Sequence, residues 1–242
     1  MARLRPLRTT SRLAPNERIA KILATTRELL AEKGYENIVT AEVAERCNIS
    51  EGTIYRYFDS KRELLTKVAE QWFEELLTEN QRVAMGQGIH ERLRHLIWYS
   101  LSIVRREPSL TRFVLMDLRS DPAYKSTHIY ELNRQFTAFV TDLLTEAVAS
   151  GEFGKDVPVR LLRDMIFGCI EHQTWAFIRG TGDFSVDTAA DGIAAIIYRG
   201  MVSKPDKSSP DAMRDAIARL EQVASRLESK QDQPALPAGT AP

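Results

Sequence analysis

The sequence has 242 residues, 43% of them hydrophobic and 27% charged, enough for one large or two modest buried cores and inconsistent with wholesale disorder. Thirty-three basic and thirty-three acidic residues cancel, so net charge singles out neither nucleic acid nor membrane; residues 1–62 nevertheless carry twelve Lys/Arg against eight Asp/Glu. Cys47 and Cys169 lack metal or redox spacing and are expected to be buried, and the absence of a long apolar run points to a cytoplasmic protein with no membrane partner.

Residues 1–16 read as a basic arm. Arg3, Arg5, Arg8 and Arg12 have no acid among them, and Pro6 and Pro15 discourage a helix. From Glu17 to Lys33, apolar residues recur at three- and four-residue intervals, and Gly34 stands where a helix needs a left-handed stop.

Thr40–Phe58 reads as two short helices, 40–47 and 51–57, joined at Cys47–Ser50. Thr40 and Ser50 are placed to cap them, Asn48 tolerates a left-handed turn, and Ala44 allows a close crossing wedged by Ile49 and Ile54. These are helix-turn-helix spacings. On a wheel of about 100° per residue, Phe58 falls beside Ile54 on the buried side. Gly52, Thr53 and Arg56 fall opposite, flanked by Tyr55 and Tyr57. Arginine can grip guanine or phosphate, the hydroxyls reach phosphate oxygens, and glycine lets the backbone approach. Ser60 and Glu63 form a capping box that starts the next helix at Lys61, where a lysine and a positive helix terminus coincide at a phosphate-sized site.

Helical periodicity then continues over 61–82, 89–106, 109–118, 125–150, 158–179, 186–200 and 211–229, with no convincing strand pattern, so the fold class is all-α. The late segments around Gly168, Ala176, Ala190 and Ala194 are apolar over much of their circumference, as expected of helices buried in the core or between subunits. Met213, Ile217, Leu220, Ala224 and Leu227 form a short heptad seam, too brief to stand alone. Trp98, Tyr99, Phe113, Met116, Phe136, Phe139, His172 and Trp175 are candidates to line a cavity, and His172 needs a polar partner. His90, His95, His128 and His172 show no metal spacing. No GxSxG, HExxH, phosphate loop or paired-carboxylate motif argues for an enzyme, so no catalytic residue, metal or cofactor is expected.

GTIYRYFDSKRELL, preceded by TAEVAERCNIS, resembles the DNA-binding signature of TetR-type transcriptional regulators over about residues 17–65. The resemblance implies an amino-terminal three-helix helix-turn-helix domain (17–62) and a larger helical ligand-binding and dimerisation domain (63–202); beyond it the residues themselves read as a carboxy-terminal helix and a disordered tail (203–242). It implies a homodimer on a palindromic double-stranded DNA operator, most simply a repressor, released by a small-molecule effector. Thr40, Ser50, Gly52, Thr53, Tyr55, Tyr57 and Lys61 would then contact phosphates or bases, with Arg56 at a variable, sequence-selecting position. Glu51 is less expected there: it either reads a cytosine amino group or points away from the phosphates. Trp98, Phe113, Met116, Phe136, His172 and Trp175 are the candidate ligand contacts, favouring a hydrophobic or amphipathic effector such as an acyl thioester. The alternative is a constitutive or architectural DNA binder, which a cavity-free carboxy-terminal domain would support.

Overall fold

The structure, a computed structural model, describes residues 14–80 and 88–203 together with Arg214, Ile217 and Glu221. Residues through Met201 form one compact unit; a second, 202–242, contains only a few described positions, so the arginine arm and most of the heptad seam lie outside the described residues. The described residues contain helices and no strand.

Helix α1 spans Pro15–Lys33. Pro15 opens it rather than preventing it, because the first helical position has no use for an amide proton. The Glu17 carboxylate closes the start by accepting from the Ala14 amide at 3.0 Å. Gly34 ends the helix at φ +74°, as expected, but with an extended ψ of 160° rather than the left-handed helical value.

Helices α2 (Thr40–Cys47) and α3 (Glu51–Ile54) meet through Asn48, whose φ of 57° and ψ of 47° are the left-handed conformation expected of the turn. Two capping expectations are corrected. Val39, not Thr40, precedes α2, and the Thr40 side chain is buried instead of capping. Ser50 does precede α3, yet its hydroxyl pairs with that of Thr53 at 2.9 Å rather than with an amide. Helix α3 also stops at Ile54, earlier than expected, and residues 55–57 continue as a turn. Ile54 and Phe58, 1% and 4% exposed, pin this stretch onto α1, α2 and the start of α4, burying with Ile22, Leu29, Leu30, Val43 and Leu64. Each such side chain is worth about 1.5–3 kcal/mol of burial, so Ile54→Ala would unseat α3.

Helix α4 (Lys61–Asn80) begins as the sequence predicts: the Ser60 hydroxyl accepts from the Glu63 amide at 3.1 Å. The reciprocal bond comes from Asp59, whose amide donates to Glu63 at 2.5 Å. Helices α5 (Ile89–Arg106), α6 (Pro108–Phe113), α7 (His128–Ala149), α8 (Val159–Ile178) and α9 (Val186–Met201) complete the body. After α6 the chain winds one π-helical turn over Val114–Leu118. Helix α7 starts three residues later than expected, where the Thr127 hydroxyl caps it.

Helix α5 packs chiefly on α9 and α4 chiefly on α7. Ala190 and Ala194 are fully buried in the α9 face, as their size suggested. Helix α8 is two-sided. Leu162, Ile166, Ile170 and Thr174 face inward, while Leu161 and Met165, about half exposed at 51% and 49%, share the outer side with Gly168, Cys169, His172 and Ala176. Cys169 is therefore exposed, contrary to expectation, whereas Cys47 is buried.

Candidate nucleic-acid interface and internal cavity

The candidate recognition surface expected from the sequence is the outer side of α3 and the turn after it. Glu51, Gly52, Tyr55 and Arg56 are exposed, and Thr53 and Tyr57 half-buried. A Cβ added to Gly52 would meet nothing within 4 Å, and its backbone is not in the left-handed region. Nothing among the described residues requires that glycine, although a helical glycine costs roughly 0.5–1 kcal/mol relative to alanine.

Tyr57 holds two guanidinium groups: Arg18 of α1 donates to its hydroxyl oxygen at 3.3 Å and Arg56 at 3.5 Å, with Arg56 also 5.2 Å from the ring centroid. The Arg56 hydrogen bond, seconded by Arg18, lowers the Tyr57 pKa. Both bonds use the oxygen as acceptor, leaving the hydroxyl proton for an outside acceptor such as phosphate. Lys61 sits at the amino terminus of α4 with its ammonium 3.3 Å from the Glu36 carbonyl oxygen. Ser50 is exposed, and Thr53, Tyr57 and Lys61 are half-buried. Thr40 differs: it is only 5% exposed, and its Oγ1 lies 2.5 Å from Glu51 Oε1 and 3.0 Å from the Tyr55 hydroxyl.

In the body, helices α4 to α8 surround a cavity of about 600 Å³, within the usual range for small-molecule sites. Its apolar lining comes from Trp72, Phe73 and Leu76 of α4, Ile103 and Val104 of α5, Val114 and Leu115 of the π turn, Phe136 of α7, and Phe167 and Ile170 of α8. Polar groups gather in the same lining: Arg119, Arg134, Arg160 and Arg163 against Asp164 and Glu171. Arg163 pairs with Asp164 at 2.6 Å and Arg119 with Glu171 at 3.2 Å. Arg134 and Arg160 are exposed and have no ion pair among the described residues, so the lining keeps two uncompensated cations.

Of the six candidate ligand contacts, Phe136 lines this cavity. Phe113 is buried outside the lining, its ring tilted against that of Tyr35 with centroids 5.4 Å apart. Trp98 borders a separate shallow depression and donates its indole proton to Asp187 at 3.0 Å. Trp175 lies under the Arg179 guanidinium, Met116 is half-buried outside the lining, and His172 is exposed on the outer face of α8. Sequence reasoning missed Arg18 and the lining arginines. An arginine on a helix surface carries no local mark of what it will face.

The segment 107–121 joins cavity and recognition unit. Thr111, Val114, Leu115 and Arg119 face the cavity. On its other side Glu107 pairs with Arg27 of α1 at 2.7 Å, Arg112 with Glu36 at 3.0 Å, and Asp121 with Arg62 of α4 at 2.8 Å. The Asp117 carboxylate beside Tyr35, together with burial, pushes that phenol up to about 12.

The family model described as bacterial regulatory proteins, tetR family, matches residues 22–68. A second, described as tetracyclin repressor-like, C-terminal domain, matches residues 86–201. The chain belongs to the TetR family. The TetR-family architecture of an amino-terminal helix-turn-helix and a helical carboxy-terminal domain agrees with the all-α fold, and the protein is a DNA-binding transcriptional regulator. Similar proteins include the fatty acid metabolism regulator protein of Bacillus subtilis, 23% identical over 188 residues spanning 76% of this chain and 95% of that one. The HTH-type transcriptional repressor KstR2 of Rhodococcus jostii is 24% identical over 191 residues, 77% of this chain and 92% of its own. Among solved structures, the regulator FadR from Bacillus subtilis in complex with stearoyl-CoA superposes with a TM-score of 0.61 at 24% identity, covering 75% of this chain and 98% of that one. These relatives are regulators, not enzymes. Among the described residues no helix of this TetR-family chain is long and apolar enough to cross a membrane, and no cluster of side chains could hold a metal ion.

Proposed function

We propose that this TetR-family protein is a repressor that binds a palindromic operator as a homodimer in the cytoplasm and is released when a fatty acyl thioester enters the α4–α8 cavity. The observation that carries this reading is the double role of segment 107–121, cavity wall on one side and clamp on α1 and α4 on the other. A molecule that displaces Val114 and Leu115 moves Glu107 and Asp121, and with them the helices that seat α3. Helix α4 adds a second route, running from Lys61 at the recognition surface to Trp72, Phe73 and Leu76 in the cavity wall.

The effector class follows from the cavity's two chemistries. Its aromatic and aliphatic lining suits an acyl chain, gaining about 0.8 kcal/mol per buried methylene, and the uncompensated Arg134 and Arg160 suit an anionic headgroup. The likeness to a fatty acid metabolism regulator and to a structure holding stearoyl-CoA supports the same class. Dimerisation is supported by Leu161, Met165 and Ile196, the last 73% exposed, on the outer sides of α8 and α9. In a dimer the two recognition helices enter major grooves about one helical turn apart, so a small change in their separation costs contacts at one or both half-sites.

The test is to select an operator from genomic DNA with the purified chain, then titrate the complex with stearoyl-CoA, stearate and coenzyme A. Release by the thioester at lower concentration than by either fragment is expected. An operator affinity unchanged by all three would remove acyl thioesters as effectors, and a cavity that binds no metabolite would favour a constitutive binder.

A further inference from the structure

We propose that Glu51 is a sequence-determining residue that accepts a hydrogen bond from the amino group of a cytosine in the major groove, held in position by Thr40 and Tyr55. The assignment rests on α3 entering that groove and goes beyond it by naming the base and the residues that read it.

A carboxylate on a DNA-facing surface faces a cost. Glu51 is exposed at the first position of the recognition helix, and recognition helices meet base edges with their amino-terminal residues. Among the described residues no lysine or arginine pairs with it. Left free, it would swing among rotamers and repel phosphates. The structure instead fixes it. Thr40 Oγ1 lies 2.5 Å from Glu51 Oε1, and the hydroxyl has one proton, which must go to the carboxylate because a carboxylate can only accept. The 3.0 Å contact between Thr40 Oγ1 and the Tyr55 hydroxyl then has a single polarity: Tyr55 donates and Thr40 accepts.

The result is a directed relay, Tyr55 to Thr40 to Glu51, anchored on a residue only 5% exposed. It consumes the protons of both hydroxyls, so while it stands neither Thr40 nor Tyr55 can donate to a phosphate. Among the described residues it leaves Oε2 of Glu51 without a hydrogen-bond partner. Gly52, with open space where a Cβ would be, allows the backbone beside Glu51 to approach a base edge closely.

An outward, acceptor-only group selects for a donor. In the major groove cytosine presents its N4 amino group, whereas adenine sets the N7 acceptor beside its amino group, where it opposes a carboxylate. Thymine and guanine present acceptors. Cytosine is therefore the base that fits.

The experiment is parallel selection from a randomised palindromic library by the full-length chain and by Glu51→Ala, Glu51→Gln and Thr40→Val, followed by measurement of discrimination at each position. The wild type is expected to enrich cytosine at one position per half-site, and Glu51→Ala to lose about 5–150-fold discrimination there while keeping the other positions. Glu51→Gln should shift that position towards adenine, whose N6 and N7 suit an amide. Thr40→Val, close in shape but without the hydroxyl, should keep cytosine with weaker discrimination, the mark of a positioning residue. The assignment is overturned if all four proteins select the same site while Glu51→Ala binds every sequence more tightly, because the carboxylate would then only repel phosphate. Failure of the wild type to enrich any sequence would overturn operator recognition itself, a result distinct from a common site shared by all four.

Discussion

Arg27 of α1 reaches Glu107, the residue before α6, in an ion pair of 2.7 Å, while its other terminal nitrogen holds Glu75 of α4 at the same distance. One guanidinium thus ties the first helix of the recognition unit to two walls of the cavity. All three side chains are partly exposed, so the pairs contribute at most about 1 kcal/mol each to stability. Their value lies in coupling. Arg27→Met should leave folding and operator affinity nearly intact while reducing effector-induced release, expected at about 5–150-fold in the wild type. Operator titrations with and without saturating effector measure this, and by reciprocity effector affinity should become less sensitive to DNA. A variant that released its operator as fully as the wild type would remove Arg27 from the route.

Gly52→Ala separates folding from binding. The new methyl group meets nothing within 4 Å inside the protein, so the chain should gain roughly 0.5–1 kcal/mol in stability. Operator affinity should nevertheless fall, because that methyl occupies the space through which the backbone approaches DNA. Thermal unfolding and binding titrations should move in opposite directions; alanine without loss of affinity would show that position 52 stands clear of the duplex.

Lys61 is expected to meet a phosphate from the amino terminus of α4. Lys61→Ala should weaken binding to all sequences alike and reduce the slope of log K against log salt by about one. Among the described residues its hydrogen bond is the 3.3 Å one to the Glu36 carbonyl, so little stability should be lost. An unchanged slope would place Lys61 outside the interface.

Arg134→Ala combined with Arg160→Ala should weaken stearoyl-CoA binding by roughly tenfold, since two exposed charge contacts are worth up to about 1 kcal/mol each. Wild-type affinity should fall with added salt and the variant's less so. Calorimetry against the thioester and the uncharged alcohol of equal chain length distinguishes headgroup from tail: the alcohol should bind both proteins equally.

Leu161→Glu together with Ile196→Glu places charge on the outer sides of α8 and α9, at residues 51% and 73% exposed. The fold should persist, because neither side chain belongs to the core. Light scattering should show a monomer, and operator affinity should drop as the second half-site contact is lost. A dimer that survives both substitutions would move the interface elsewhere.

The recognition unit was legible in the sequence because its determinants are local. Ala44, Asn48, Ile54 and Phe58 lie within fifteen positions, and helical geometry fixes their directions once the turn is set. The left-handed Asn48, the buried Ile54 and Phe58 and the helix start after Ser60 follow from that short-range spacing. Even there, local reasoning assigned the Thr40 hydroxyl to a helix end, when a carboxylate eleven residues away in sequence, on the next helix, accepts its proton.

The cavity was decided by tertiary structure. Phe136 faces it whereas Trp98, Phe113, Met116, His172 and Trp175 do not, although all six sit in helical segments of similar pattern. Periodicity tells which side of a helix is apolar, but not which neighbour that side meets, nor whether the meeting leaves a gap. The same holds for α8, whose apolar circumference splits into a core face at Ile166 and Ile170 and an uncovered face at Leu161 and Met165. The cavity arginines Arg119, Arg134, Arg160 and Arg163 come from the turn after the π segment, α7 and α8, and resemble ordinary solvated residues in the sequence. Their convergence depends on how α7 and α8 are rotated about their axes, which is set by the packing of the whole body and carried by no single stretch of the chain.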